Sequence, residues 1–262
     1  MVNVIKEQVM KIKKHQFLFE ELVKRDFKKK YKRTALGMLW SLVSPLMQLL
    51  VMSVVFTNFF GRNVPHYTIY LFAGNLTFSF FRDSTYGGMN SLMQNSNIIT
   101  KINLPKYMFL LSKNVASLIN FGLTLLIFFV FALFDGIHFS INFITLIYPI
   151  ACLIVFNIGC GLILSALFVL FKDIQYLYDI FTMMLMYLCA IFYYTGDYPE
   201  HIQKLFYLKP VYVYITYFRD VVIYGYIPGW KTHLLCLLYA AIALLAGALI
   251  YKKYNYKFMY YM

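Results

Sequence analysis

Residues 25–60 read RDFKKKYKRTALGMLWSLVSPLMQLLVMSVVFTNFF, a dense basic cluster running without a linker into a long uncharged stretch. The uncharged part, 35–60, exceeds the roughly 20 apolar residues that carry a helix across a bilayer. The chain therefore enters a membrane here. Lys28, Lys29, Lys30, Lys32 and Arg33 stay on the cytoplasmic side, where basic residues flanking a span collect.

Composition extends this to the whole chain. It is 61% hydrophobic and 13% charged, against about 25% charged in a soluble domain. That is a polytopic membrane protein. The net charge of +13 raises nucleic acid as a partner, but eleven of the Lys and Arg lie in residues 1–33, beside Glu7, Glu20, Glu21 and Asp26. A basic segment abutting a span is first a topology signal and a contact for anionic lipid. Cys152, Cys160, Cys189 and Cys236 sit in apolar runs with no metal-ligand spacing and read as small hydrophobes. The first apolar run starts too late and is too long for a cleavable leader, so the first span is expected to remain.

Residues 3–31 form an amphipathic pattern in which Ile5, Val9, Ile12, Phe19, Val23, Phe27 and Tyr31 recur at three- and four-residue steps. It suits a helix lying in the membrane interface or a helix packed on a partner. Spans are expected at 35–60, 68–89, 109–134, 141–171, 174–194 and 232–251. Residues 195–231 are too polar and Pro-broken to cross. With the N-terminus inside, the inner segments hold eighteen Lys and Arg and the outer ones five. That asymmetry places both termini in the cytoplasm. Two regions result, an interface helix over 1–34 and a six-span membrane domain over 35–262. The expected class is all-α.

Known catalytic patterns are missing. No G-x-x-x-x-G-K-[ST] occurs, so the chain does not itself cradle a nucleoside triphosphate. No H-E-x-x-H, G-x-S-x-G or paired-carboxylate arrangement occurs either. All five histidines fall in the amphipathic helix, in loops or at a span end, which argues against an intramembrane acyltransferase. Gly159 and Gly161 lack a third glycine and a preceding strand, so they read as small residues for helix packing.

Three features could carry function. Arg82 and Asp83 lie inside the second span, where burial of charge is expensive; a tilt that brings them to the headgroups is the alternative. In NIITKINLPKYM, residues 97–108, Ile98, Ile99, Ile102 and Leu104 present apolar side chains to a short cytoplasmic piece. They suit docking on a partner protein or a turn at the membrane surface. Residues 192–230 hold thirteen aromatics, too many for a plain connection. An interfacial aromatic belt and a substrate gate built on helices dipping back into the outer leaflet both explain them. Pro199 and Pro210 are each placed to start a short helix there.

Together these pieces resemble the permease subunit of ABC transporters that export cell-surface polysaccharide, such as O-antigen, teichoic acid and streptococcal rhamnan. Arg25, Asp26, Tyr31, Leu36, Gly37, Leu39, Trp40 and Pro45 match the family's opening motif. NSNIITKINLPKYM is similar to its cytoplasmic coupling helix, FKDIQY to its segment between spans four and five, and LKPVYVYITYFRDVVIYG to its outer segment. Lys172 stands for Arg, and Lys209 for Asn, in the last two.

The resemblance implies a non-enzymatic homodimer of six-span subunits working with two copies of a separate ATPase. That partner would hold ATP and Mg, and this chain would need no cofactor. The implied cargo is a glycan on undecaprenyl diphosphate in the bacterial cytoplasmic membrane. ATPase coupling then falls to Ile98, Ile99, Lys101, Ile102, Leu104, Pro105 and Lys106. The substrate path falls to Arg25, Lys32, Arg33, Trp40, Arg82, Asp83, Tyr193, Tyr194 and Arg219, with Arg25, Lys32 and Arg33 facing the diphosphate. The competing readings are a drug- or lipid-exporting permease of the same superfamily, an intramembrane glycosyl- or acyltransferase, and an ion-coupled carrier. The last has only Arg82 and Asp83 as intramembrane charges.

Overall fold

The computed structural model describes residues 16–29, 34, 37–60, 64–101, 104–256 and 258–261. The α-helices among them are α1 Gln16–Lys29, α2 Trp40–Phe60, α3 Tyr67–Asn90, α4 Ser96–Ile99, α5 Tyr107–Phe134 and α6 Ile147–Leu170. They continue as α7 Ile174–Leu188, α8 Glu200–Phe206, α9 Pro210–Val222, α10 Trp230–Tyr254 and α11 Phe258–Tyr261. The described residues contain no strand, as an apolar chain that must satisfy its backbone within lipid requires.

Length and apolarity mark four spans: Trp40–Thr57, Tyr107–Phe134, Ile141–Leu170 and Trp230–Tyr254. The other two expected spans depart for physical reasons. Helix α3 has 24 residues, enough to cross, but it carries Asn75, Thr77, Ser79, Arg82, Asp83, Ser84 and Thr85. Helix α7 has 15 residues, about 22 Å of helix against a hydrocarbon core of about 30 Å. The chain leaves α7 through Ala190 at φ 51, so the expected fifth span stops short of residue 194. Of the six, four are thus marked directly.

Helix α6 is the centre of the bundle, with 56% of its most apolar window buried inside the chain. Small residues put it there. A Cβ on Gly159 would collide with the backbone of Ala243, and one on Gly247 with the Gly159 carbonyl. On another face a Cβ on Gly88 would sit 3.0 Å from the Gly161 Cα. Close backbone approach of this kind holds helices together where lipid removes the hydrophobic drive. Gly159→Ala is therefore expected to lower the midpoint of thermal unfolding in detergent by several degrees, the effect of about 1–3 kcal/mol of overpacking. An unchanged midpoint would show that α6 and α10 can part without loss.

One small core joins Leu22 of α1, Leu92, Ile99, Leu104, Phe109 of α5 and Phe258 of α11. Both ends of the described chain therefore lie at the same end of the bundle. The far end is built by α8 and α9, which Pro199 and Pro210 start as expected. Helix α9 is almost wholly buried, from Val211 to Val222. Of the amphipathic pattern, residues 3–15 lie outside the described residues. Over 16–29 the buried line runs through Leu22 and Asp26, with Phe19, Val23 and Phe27 half-buried beside it. The turn of α1 follows Asp26, which α5 draws in.

Candidate functional site

Three helices each turn a set of polar residues at helical spacing toward one space. On α2 it is Ser41, Ser44 and Gln48; on α3, Asn75, Ser79 and Arg82 with Asp83; on α5, Ser117, Asn120 and Thr124. Steps of three and four residues place each set on one face. The three faces converge on a cavity of about 460 Å³, which Trp40 also lines. Gln48 donates to Asn75 across it at 3.3 Å. Asn120 and Thr124 donate to the backbone of their own helix, to Ala116 at 3.2 Å and Asn120 at 3.0 Å.

Arg82 and Asp83 stand at the mouth. Their side chains are 47% and 40% exposed, and Arg82 Nε lies 3.9 Å from Asp83 Oδ1, the long edge of an ion pair. Neighbours on a helix do not face each other, which keeps this pair long. A second cavity, about 350 Å³, opens on the other side of α3 and shares Arg82 and Asp83 with Tyr86, Tyr178, Asp179 and Thr182. Tyr178 fastens α7 to α3 there, 2.6 Å from Thr85 Oγ1 and donating to the Arg82 carbonyl at 3.2 Å. The two charges thus sit between cavities, with α2 and α7 on either side.

The structure brings together Trp40, Arg82 and Asp83. It disperses the other substrate-path candidates. Arg25 sits on α1 and pairs with Asp26 at 2.8 Å. Lys32 and Arg33 lie outside the described residues. Tyr193 and Tyr194 follow α7 at the far end, where the Tyr193 carbonyl accepts from Tyr70 at 2.9 Å. Arg219 is 3% exposed, and its guanidinium donates to the carbonyls of Tyr70, Ala190 and Ile191 at 2.9–3.2 Å. It also stacks 3.4 Å from the Tyr70 ring centroid. Gly74 makes room, since a Cβ there would meet Arg219 Nη2 at 2.5 Å.

The coupling candidates divide as well. Ile99 and Leu104 are buried in the chain's own second core, and Ile98 packs against it. Lys106 donates to the Asn255 carbonyl at 2.8 Å and lies 5.5 Å from the Phe258 ring centroid; partial burial lowers its pKa. Pro105 is half-buried and Ile102 lies outside the described residues. Lys101 is exposed, alongside Gln94, Asn97 and Thr100. The face open to a partner is a polar edge.

A family model described as ABC-2 type transporter matches residues 18–223. An O-antigen export system permease protein RfbA of Myxococcus xanthus is 29% identical over 125 residues, 48% of this chain and 46% of that protein. Two proteins of the same description from Klebsiella pneumoniae are 28% and 27% identical over 131 residues, 49% of this chain and 51% of theirs. The chain spans about half the length of the curated relatives it matches.

Proposed function

From the premise that this chain belongs to the ABC-2 type transporter family, we propose that it is the membrane subunit of an ATP-driven exporter of lipid-linked cell-surface polysaccharide. As a permease of that family it is a multi-pass membrane protein and a transporter component, not itself an enzyme. The observation that carries the reading is the cavity between α2, α3 and α5, where Ser, Thr, Asn and Gln interleave with apolar side chains. A drug- or lipid-sized amphiphile would be served by an apolar cleft. Sugar hydroxyls instead need donors and acceptors inside the bilayer, where unmet polar groups cost several kcal/mol each. The Ser, Thr, Asn and Gln side chains supply them, and Arg82 at the mouth suits a diphosphate.

The working unit would be a homodimer with two copies of an ATP-binding partner, which would hold ATP and Mg. The polymer would pass where two copies of α2 and α7, both largely exposed in the single chain, face one another. The end carrying α1, α4 and α11 would lie in the cytoplasm, as eighteen Lys and Arg against five outside favour. The partner would press on the polar edge of Gln94, Asn97, Thr100 and Lys101. Because Ile99 and Leu104 are buried beneath that edge with Phe109 of α5 and Leu162 of α6, such a push would move α5 and α6 as packed bodies.

Arg82→Gln is expected to lower surface polysaccharide at least about ten-fold, the effect of one lost charge-assisted contact, at unchanged membrane abundance. Affinity purification of the tagged chain in mild detergent should also retain an ATPase and a glycan–undecaprenyl diphosphate. Full export by Arg82→Gln would remove Arg82 from the path. An intact chain that carries no ATPase and responds only to small amphiphiles would end the exporter reading.

A further inference from the structure

A third cavity, about 280 Å³, lies at the far end of the chain among Tyr194, Gln203, Thr216, Asp220, Tyr224 and Tyr226. It is separate from the cavity of α2, α3 and α5 and shares no lining residue with it. Its volume falls just below the range of drug-sized pockets, which begins at about 300 Å³. That suits one ring and not a length of chain.

The lining is selective. The Tyr194 and Tyr224 rings are each 36% exposed and Tyr226 is 52% exposed, and Tyr224 and Tyr226 lie 6.4 Å apart at 30°. Buried rings could be packing, but half-open ones offer faces to a guest. Asp220 is 8% exposed, and no ion pair to it is formed among the described residues. Its neighbour Arg219, which also lines the cavity, makes four hydrogen bonds to backbone carbonyls, and Lys209 donates to the Leu188 carbonyl. Asp220 therefore meets the cavity with only the Tyr226 hydroxyl bonded to its carboxyl. Gln203 donates its amide to the carbonyls of Gly196 and Tyr198 at 3.1 and 2.8 Å, which leaves its side-chain oxygen as an acceptor.

Arg219 lines the same cavity but is committed to backbone carbonyls, so the carboxylate and the amide oxygen are the groups that face a guest. They accept from a neutral ligand rich in O–H groups. Open tyrosine faces match the C–H faces of such a ligand. We propose that this cavity is a second, outer binding site for a single neutral sugar ring of the exported glycan. Asp220 and Gln203 accept the ring's hydroxyls, and Tyr194 and Tyr224 hold its faces. Burial raises the Asp220 pKa to about 6, so the carboxyl is still mostly an acceptor at neutral pH. The inference rests on the export reading and on the orientation that puts this end outside.

The test is photo-crosslinking in living cells that make their own glycan. A benzophenone amino acid is placed at Tyr224 and, separately, at Ser79 in the cavity of α2, α3 and α5. Adducts are probed for periodate-sensitive carbohydrate. Glycan adducts are expected at both positions, and Asp220→Asn or Tyr194→Ala should lower the Tyr224 adduct about ten-fold while leaving the Ser79 adduct and membrane abundance unchanged. Glycan at Ser79 with only phospholipid or nothing at Tyr224 would overturn the outer site and leave the exporter intact. A Tyr224 adduct indifferent to both substitutions would reduce the cavity to a passing contact and also overturn it. Glycan at neither position would remove the export reading itself.

Discussion

Arg219→Lys is expected to lose export and most of the folded chain, although it keeps the positive charge. The guanidinium is fully buried and its planar fork reaches three carbonyls at once, those of Tyr70, Ala190 and Ile191. An ammonium is a point charge on a flexible stem and cannot reproduce that fork. The Ala190 and Ile191 carbonyls lie in the turn after α7, outside any helix ladder. Each one orphaned by burial costs about 1–3 kcal/mol, and a buried cation left half-satisfied costs several more. Total stabilities are about 5–15 kcal/mol, so the sum is decisive. Ala190 at φ 51 adds a backbone conformation that only its surroundings maintain. Arg219→Leu removes the carbonyl contacts but also the cost of burying charge, so it should fare no worse than Arg219→Lys. The measurement is the thermal midpoint of both variants in detergent with surface polysaccharide in parallel. A phosphate-binding arginine would give the opposite order, with Lys partly active and Leu folded but inactive. That order would return Arg219 to the substrate path.

The all-α class and four of the six expected spans are legible in the sequence where apolarity alone decides, in α2, α5, α6 and α10. The rest is less legible, where helices balance polarity against burial. Helix α7 stops at Leu188 although Ile191 and Phe192 continue the apolar run, because Arg219 and the tyrosines of α3 bind the next carbonyls and hold the turn. Charges inside the membrane were read as functional by cost. That rule picks Arg82 and Asp83, which meet at two cavities, whereas Arg219 enters the substrate path only through the family resemblance, and its contacts are with backbone. Sequence spacing cannot tell these apart, since the difference is which carbonyls fold back within reach. The polar stripes on α2, α3 and α5 had a signal, Ser, Asn, Gln and Thr at steps of three and four. Each stripe alone is unremarkable for a membrane helix; their meaning comes from the packing that turns three of them toward one space. The isoleucines of residues 97–102 suggested a partner-facing apolar surface because nothing in the sequence shows that Leu22 and Phe258 come to cover Ile99.

Asp26→Ala is expected to detach α1 and abolish export while the spans remain inserted. The Asp26 carboxylate is 2% exposed and holds Arg25 at 2.8 Å and Lys113 at 3.2 Å, and Ser112 donates to it at 2.9 Å. Removing one partner of a buried pair costs about 3–5 kcal/mol, because the other charge stays buried with its counterion gone. Lys113 is that charge, with its side chain 15% exposed. Limited trypsin digestion of membranes is the direct readout, since Lys24 and Lys28 flank Asp26 and should become cleavable. Asp26→Asn should be milder, as it keeps an acceptor for Ser112. Combining Asp26→Ala with Lys113→Met should restore part of the protection, since the double variant also removes the ammonium that Asp26 pairs with. Protection and export that survive Asp26→Ala would mean that Leu22 alone holds α1 in place. The reach of the effect follows from α5. Lys113 lies one turn before Ser117, and Asn120 and Thr124 continue the same face into the cavity. A pull on Lys113 from α1 therefore sets the rotation of the helix that lines the proposed path. Loss of Asp26 should accordingly reduce glycan crosslinking at Ser79, across the cavity from that face, even in the fraction of chain that stays folded.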